Sequence, residues 1–237
     1  MQQYYPRIAK ILADHPHNSR GAVFAARSGC APGMAEMLQS QLPDLLLQPC
    51  RKMLRDAVEY AKDPMIDTIV ISAHWCWYLV DLGEGRQSEV DAALDELRQV
   101  IGGFINEGKR VYVILNIPRG AEFNPRDMIR RSLFPPAFRI QIHTAARSEI
   151  DAAIGPTGAK LRRIAQLTGA QVIDPVNFLC DRAVCPAITS TGEPMYKDNG
   201  HLRPSYVRDH VPFLDETVLD VSQPLVGRQD GASSASF

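Results

Sequence analysis

No stretch of this 237-residue chain approaches the roughly 20 consecutive apolar residues that span a bilayer, which excludes a membrane helix. The start, Met1-Gln2-Gln3-Tyr4-Tyr5, lacks the basic and apolar regions of a signal peptide, so expressed from Met1 as it stands the chain reads as cytoplasmic. An excess of one charge is missing too. With 26 Lys and Arg against 27 Asp and Glu, a net charge of −1 leaves no electrostatic footprint for nucleic acid or an anionic membrane, and neither partner is expected. Cys-x-x-Cys and His-x-x-x-His spacings are absent, as is any Gly-rich phosphate loop. No metal and no cofactor are expected.

What is present suits one α/β domain over residues 1–220. The chain is 45% hydrophobic and 22% charged, enough for a substantial core. Residues 221–237 form a Gly/Ser-rich tail expected to be disordered.

The cysteines point away from the cytosol. Cys180 and Cys185 are close enough to bridge a tight loop, and Cys30, two residues before Pro32, and Cys50, directly after Pro49, stand in regions expected to be loop. Two disulfides, Cys30–Cys50 and Cys180–Cys185, are expected, with Cys76 left over. The alternative is a set of buried free thiols in a cytosolic protein.

In chain order, helical spacing from Tyr4 to Ala13 predicts a helix that starts almost at the N-terminus. Ala22-Val23-Phe24-Ala25-Ala26 reads as a short buried strand. It runs into Ser28-Gly29-Cys30, a strand-end loop whose backbone N–H groups are candidate oxyanion donors, or simply a disulfide-anchored turn. Residues 34–62 read as helix broken at Pro43 and near Pro49. Residues 67–75 carry the strongest strand signal and are expected to form a central parallel strand buried on both faces. Its carboxyl end presents His74 and Trp75, placed to shape a pocket, with core aromatics as the plainer alternative.

Residues 88–106 read as a helix capped by Ser88, and 110–116 as the next strand, with Asn116 at its end placed to hydrogen-bond a ligand or, the plainer alternative, to cap a loop. The Pro- and Arg-rich 119–146 segment reads as an insertion over the cleft, a lid. Helix is expected from 148 to 153 and again from a Thr157 cap to 168, with a break at Gly155-Pro156. A last strand at 170–173 and a last helix at 204–214 complete the reading.

The chemistry concentrates in Lys197-Asp198-Asn199-Gly200-His201-Leu202. Asp followed three positions later by His in a glycine turn brings carboxylate and imidazole together, the base half of a hydrolytic triad. By itself the motif is weak, because an Asp-Asn-Gly turn with an exposed His is common.

Its context sharpens it. Val172-Ile173-Asp174-Pro175, then Cys180 to Cys185, Tyr196-x-Asp198 and His201-Leu202 resemble the C-terminal portion of SGNH hydrolase-like domains that follow acyltransferase family 3 membrane domains. The resemblance covers about residues 1–215. It implies a three-layer αβα, flavodoxin-like fold with a mainly parallel sheet, and Asp198 and His201 as triad partners of a serine. Trp75 looks like the tryptophan that ends the corresponding strand in that family. His74-Trp75 stands where better-known SGNH enzymes carry Gly-x-Asn-Asp, so the usual oxyanion asparagine has no counterpart.

The Gly-Asp-Ser block that carries the nucleophile is also missing, together with its strand. Of the substitutes, Ser28 lies on the expected side, Ser72 lies within a strand and Cys30 is spent in a disulfide. None occupies a strand-to-helix elbow. The expectation is therefore an N-terminally truncated serine esterase or O-acyltransferase domain acting on acylated cell-envelope glycans. Its setting would be the periplasm or the outer face of the inner membrane, within a longer protein that includes a membrane acyltransferase domain. The alternative is a non-catalytic carbohydrate-binding or interaction domain using Trp75, Trp77 and Tyr78 as stacking surfaces.

Overall fold

The computed structural model describes residues 2–33, 43–81, 84–134, 136–140 and 144–219. The expected tail at 221–237 lies outside them, as do residues 34–42 of the expected helix at 34–62.

Three parallel strands make the main sheet, in the order β1 (Thr68–Ser72), β2 (Arg110–Ile114), β6 (Gln171–Ile173). Each step is crossed by a long helix, α3 (Gln87–Asn106) between the first pair and α4 (Arg147–Thr168) before the last strand. Alternation along β2 assigns the layers. Val111 and Val113 pack with Leu97, Ile101, Leu161 and Ile164 of α3 and α4. Tyr112 and Ile114 face the opposite cluster, with Ile8 and Ile11 of α1 (Tyr5–Asp14) and Val207 of α6 (Pro204–His210). The result is the expected three-layer αβα arrangement.

The central strand, however, is β2 and not 67–75. β2 is buried along four of its five residues, whereas in β1 only Ile71 is buried. Among the described residues no strand pairs with the outer edge of β1. A β-branched run is equally compatible with either position, because burial is fixed by what lies alongside.

The expected strand at 22–26 is not formed. Val23 is 69% exposed and only Phe24 is packed, against the ring of Tyr5. An apolar run supplies half of a ladder, and among the described residues no strand supplies the other half. The backbone nearby is tied elsewhere, Arg20 N–H donating to the Val218 carbonyl at 2.9 Å. Beyond the 27–30 turn, Gly33 has a left-handed φ of +75°, and a Cβ there would meet the Ala93 carbonyl oxygen at 2.5 Å. Only glycine lets this loop lie against α3.

Two expected helix breaks do not occur. α2 (Asp44–Ala61) runs through Pro49, and α4 runs through Gly155-Pro156 with Thr157 buried in its interior rather than capping it. Each proline removes one helical hydrogen bond, and burial of Leu47 and Cys50, or of Ile154 and Leu161, outweighs that loss. Helix α3 begins at Gln87 with no side-chain cap, so Ser88 lies inside it.

The 119–146 insertion contains a self-paired hairpin, β3 (Ile129–Leu133) with β4 (Pro136–Ile140). It is followed by β5 (Thr144–Ala146), which pairs antiparallel with β7 (Val184–Pro186). A short helix α5 (Val176–Leu179) leads from β6 into the loop closed by Cys180–Cys185. The second disulfide, Cys30–Cys50, fastens the 27–30 turn to α2, and Cys76 is free and buried. Both expected bridges are present.

Candidate active site

The Asp198–His201 turn hangs from a two-point clamp. Tyr196 and Leu202 form an antiparallel bridge, and Lys197 N–H donates to the His201 carbonyl at 2.9 Å. Both bridging side chains are buried, Tyr196 against the Phe123 ring at 4.6 Å. Leu202 N–H donates to Gln3 Oε1 at 3.2 Å. The clamp is rigid because its anchors are core residues. The loop it carries is open, with the His201 side chain 48% exposed.

Within that loop Asp198 Oδ1 accepts from Gly200 N–H at 3.0 Å and from His201 Nδ1 at 2.9 Å, and Oδ2 lies 3.1 Å from the same nitrogen. A carboxylate on Nδ1 selects the tautomer that leaves Nε2 as the acceptor, the state a general base requires. Partial burial raises the Asp198 pKa, but the hydrogen bonds from Gly200 and His201 outweigh it and hold the carboxyl below its ordinary value. The two residues predicted to form the base half of a triad are thus in contact.

His74, at the carboxyl end of β1, faces the same spot. Its ring stands 6.2 Å from that of His201, and a Cβ on Gly200 would lie 3.4 Å from its Cε1. Its Nε2 is buried and makes no hydrogen bond. Desolvation by burial, then the charges of Arg119 and His201, push the His74 pKa down, so the ring is neutral near pH 7. A neutral imidazole with an unused nitrogen at a strand end can exchange a hydrogen bond with a ligand.

Trp75 does not join it. The indole is fully buried and its Nε1–H donates to the Ile114 carbonyl at 2.8 Å, fastening the end of β1 to β2. Tyr78 is likewise buried, with its pKa pushed up to about 12 by desolvation, and it packs edge-on to Trp77. Trp75 and Tyr78 are core residues rather than a stacking surface, and Trp77 packs partly buried against the same cluster. Asn116 caps a loop as expected, its Oδ1 accepting from Cys76 N–H at 3.1 Å.

Ser28 is exposed and Gly29 has a φ of +73°, both in the turn tied to α2. Among the described residues no hydrogen bond or ring contact links either to His74 or His201.

Sequence reasoning missed Asp81, Arg119 and Gly120. Asp81 ends a π-helical turn, Trp77–Asp81, and its carboxylate takes a 2.9 Å hydrogen bond from Arg119 Nη1. Next to it, Gly120 N–H donates to the Asn199 carbonyl at 2.9 Å, from a backbone with φ +153° that disfavours other residues. The loop after β2 thereby holds the Asp198–His201 turn from its open side. A glycine following Arg in a strand-end loop is the one sequence signal that marks this contact. Among the described residues no cluster of three or more His, Cys, Asp or Glu is placed to hold a metal ion.

Residues 7–215 match the family model described as SGNH domain (fused to AT3 domains). No curated protein matches the chain. Among solved structures it is similar to the periplasmic domain of a lipopolysaccharide acetyltransferase from Salmonella ser. Paratyphi A. The TM-score is 0.55 at 12% identity, covering 90% of this chain and 76% of that one. That likeness is one of fold.

Proposed function

The chain belongs to the family of SGNH domains fused to AT3 domains, and on that premise we propose that it supplies the His–Asp half of a serine esterase or O-acyltransferase site acting on acylated cell-envelope glycans. The observation that carries the reading is the Asp198–His201 pair, hydrogen-bonded at 2.9 Å with His201 Nε2 left for chemistry.

In this reading a serine on a strand that seats against the open edge of β1 attacks the acyl carbonyl. His201 Nε2 takes the hydroxyl proton and passes it to the departing alcohol, while Asp198 stabilises the imidazolium. His74 is the donor proposed for the developing oxyanion, since its ring faces His201 and its Nε2 has no protein partner. Resolution of the acyl-serine by water gives an esterase, and by a sugar hydroxyl a transferase. Two disulfides and the likeness to a periplasmic domain support an extracytoplasmic setting within a longer protein. Among the described residues no helix is long and apolar enough to cross a membrane, so a membrane acyltransferase partner would be a separate domain.

The test is to translate the coding sequence in frame upstream of Met1 and express the extended chain. Turnover of an acetyl ester that His201→Ala abolishes without changing the fold is the expected result. Turnover that survives His201→Ala rules the assignment out.

A further inference from the structure

The face of α4 that carries Asp151, Gly155, Gly158 and Arg162 stands over the ends of β2 and β6, and a half-open cavity of about 210 Å³ lies between. These positions, spaced i, i+4, i+7 and i+11, share one stripe of the helix. None of His74, Asp198 and His201 lines the cavity. It opens at the carboxyl ends of parallel strands, where α/β sheets take their ligands.

Packing does not account for the two glycines. After proline, glycine is the poorest helix former, and both lie inside a 22-residue helix. A Cβ on Gly155 would meet nothing within 4 Å, and one on Gly158 would stand 3.7 Å from Leu115 Cδ1, an ordinary contact. Side chains at these positions would fill the cavity, and glycine keeps it open.

Asn116 carries the argument further. It follows β2, is 6% exposed and lines the cavity. Its Oδ1 accepts from Cys76 N–H, and among the described residues its Nδ2 donates to no protein atom. A nearly buried amide donor without an acceptor is costly unless something enters to accept from it. The charges around it are already matched, Arg162 with Asp174 and Arg147 with Asp151. An anion entering here meets Asp151 and Asp174, and an ammonium meets Arg162. Hydroxyl groups donate and accept at once, which suits carboxylates, a guanidinium and an amide around one space. The volume equals that of roughly seven waters at about 30 Å³ each, room for a single ring with its hydroxyls.

We propose that this cavity binds one neutral, polyhydroxylated ring, a single monosaccharide unit. Asn116 Nδ2 donates to a hydroxyl at the inner end, and Asp174 and Arg162 hold hydroxyls at the mouth. The site is separate from the dyad and does not rest on the chemistry proposed for it.

Glucose, galactose and N-acetylglucosamine are titrated into the nitrogen-labelled chain and followed by NMR, with sodium acetate and ethylammonium chloride alongside. At least one sugar should move the Asn116 side-chain amide and the Gly155 and Gly158 backbone amides on one saturating curve, with a Kd in the millimolar range. Asn116→Asp keeps the acceptor for Cys76 N–H but loses the donor, and should weaken binding about tenfold. Gly155→Leu should abolish it at a melting temperature no lower than the parent's, since leucine is the better helix former. His201→Ala should bind as the parent does. The proposal fails if none of the three sugars saturates these signals, water then being the sole occupant. It fails equally if acetate or ethylammonium moves them more than any sugar does, if Gly155→Leu still binds, or if His201→Ala abolishes binding and so places the sugar at the dyad. Should Asn116→Asp or Gly155→Leu unfold, the other decides.

Discussion

The His74 ring meets that of His201 edge-on, the centroids 6.2 Å apart and the planes at 69°. Two imidazoles this close cannot both be charged without repulsion, and the buried one yields. Folding lowers the His74 pKa, chiefly by desolvation, so the unfolded chain binds its proton first as pH falls. The stability contribution is complete above the unfolded value of about 6.5 and is lost as pH falls through the folded one. Thermal melts between pH 8 and 5 should show stability declining toward the acid end. His74→Gln should flatten part of that decline, and an unchanged slope would remove His74 as its source.

The Cys30–Cys50 bridge closes a loop with a sequence separation of 20 and ties the 27–30 turn to α2. A loop of that size is worth about 3 kcal/mol in the chain-entropy account. Replacing both cysteines with serine should lower the unfolding free energy by about that much in urea titration. Unfolded but unreduced protein should present one free thiol, Cys76, to Ellman's reagent, and five would show that neither bridge forms.

Trp75 reports on the joint between β1 and β2. Trp75→Phe removes the buried Nε1–H and leaves the Ile114 carbonyl without that donor, at an expected cost of about 1–2 kcal/mol. Equilibrium unfolding measures it. A loss of ligand binding with unchanged stability would instead return Trp75 to the cleft.

The parts of this molecule that were legible in the sequence are the local ones. Asp198 and His201 lie three residues apart, and the glycine turn between them brings carboxylate and imidazole within reach of each other. Cys180 and Cys185 are close for the same reason. What escaped depends on partners far along the chain. The Ala22–Ala26 run has the composition of a strand but, among the described residues, no strand to pair with. Pro49 and Pro156 are local breakers overruled by burial of the turns around them. Trp75 sits at a strand end, where site residues gather, yet the direction of its side chain is set by the Ile114 carbonyl 39 positions away. The Asp81–Arg119 contact spans 38 positions and has no local signature.

Gly120 tests whether that distant contact matters to the dyad. Its φ of +153° lets its N–H reach the Asn199 carbonyl, and a Cβ there would crowd the Glu122 carboxylate, a flexible group able to move aside. Gly120→Ala should therefore cost about 1–3 kcal/mol through the backbone alone. Amide exchange at Gly200 and His201 should quicken with it, because the turn loses its outer restraint. Unchanged exchange there would mean that the Tyr196–Leu202 clamp holds the turn unaided.

Asp198→Asn separates orientation from shape. The amide fills the space of the carboxylate but can donate as well as accept, so Nδ1 is no longer bound to carry the proton and His201 is free to adopt the tautomer with Nε2 protonated. In this chain, nitrogen-detected NMR of His201 should show the proton moving from Nδ1 toward Nε2, with the fold intact. In an N-terminally extended chain with activity, kcat should fall by about 10⁴, as for the equivalent substitution in other triads. A variant that keeps the Nδ1 proton and full turnover would show that Asp198 serves the turn, through Gly200, and not the base.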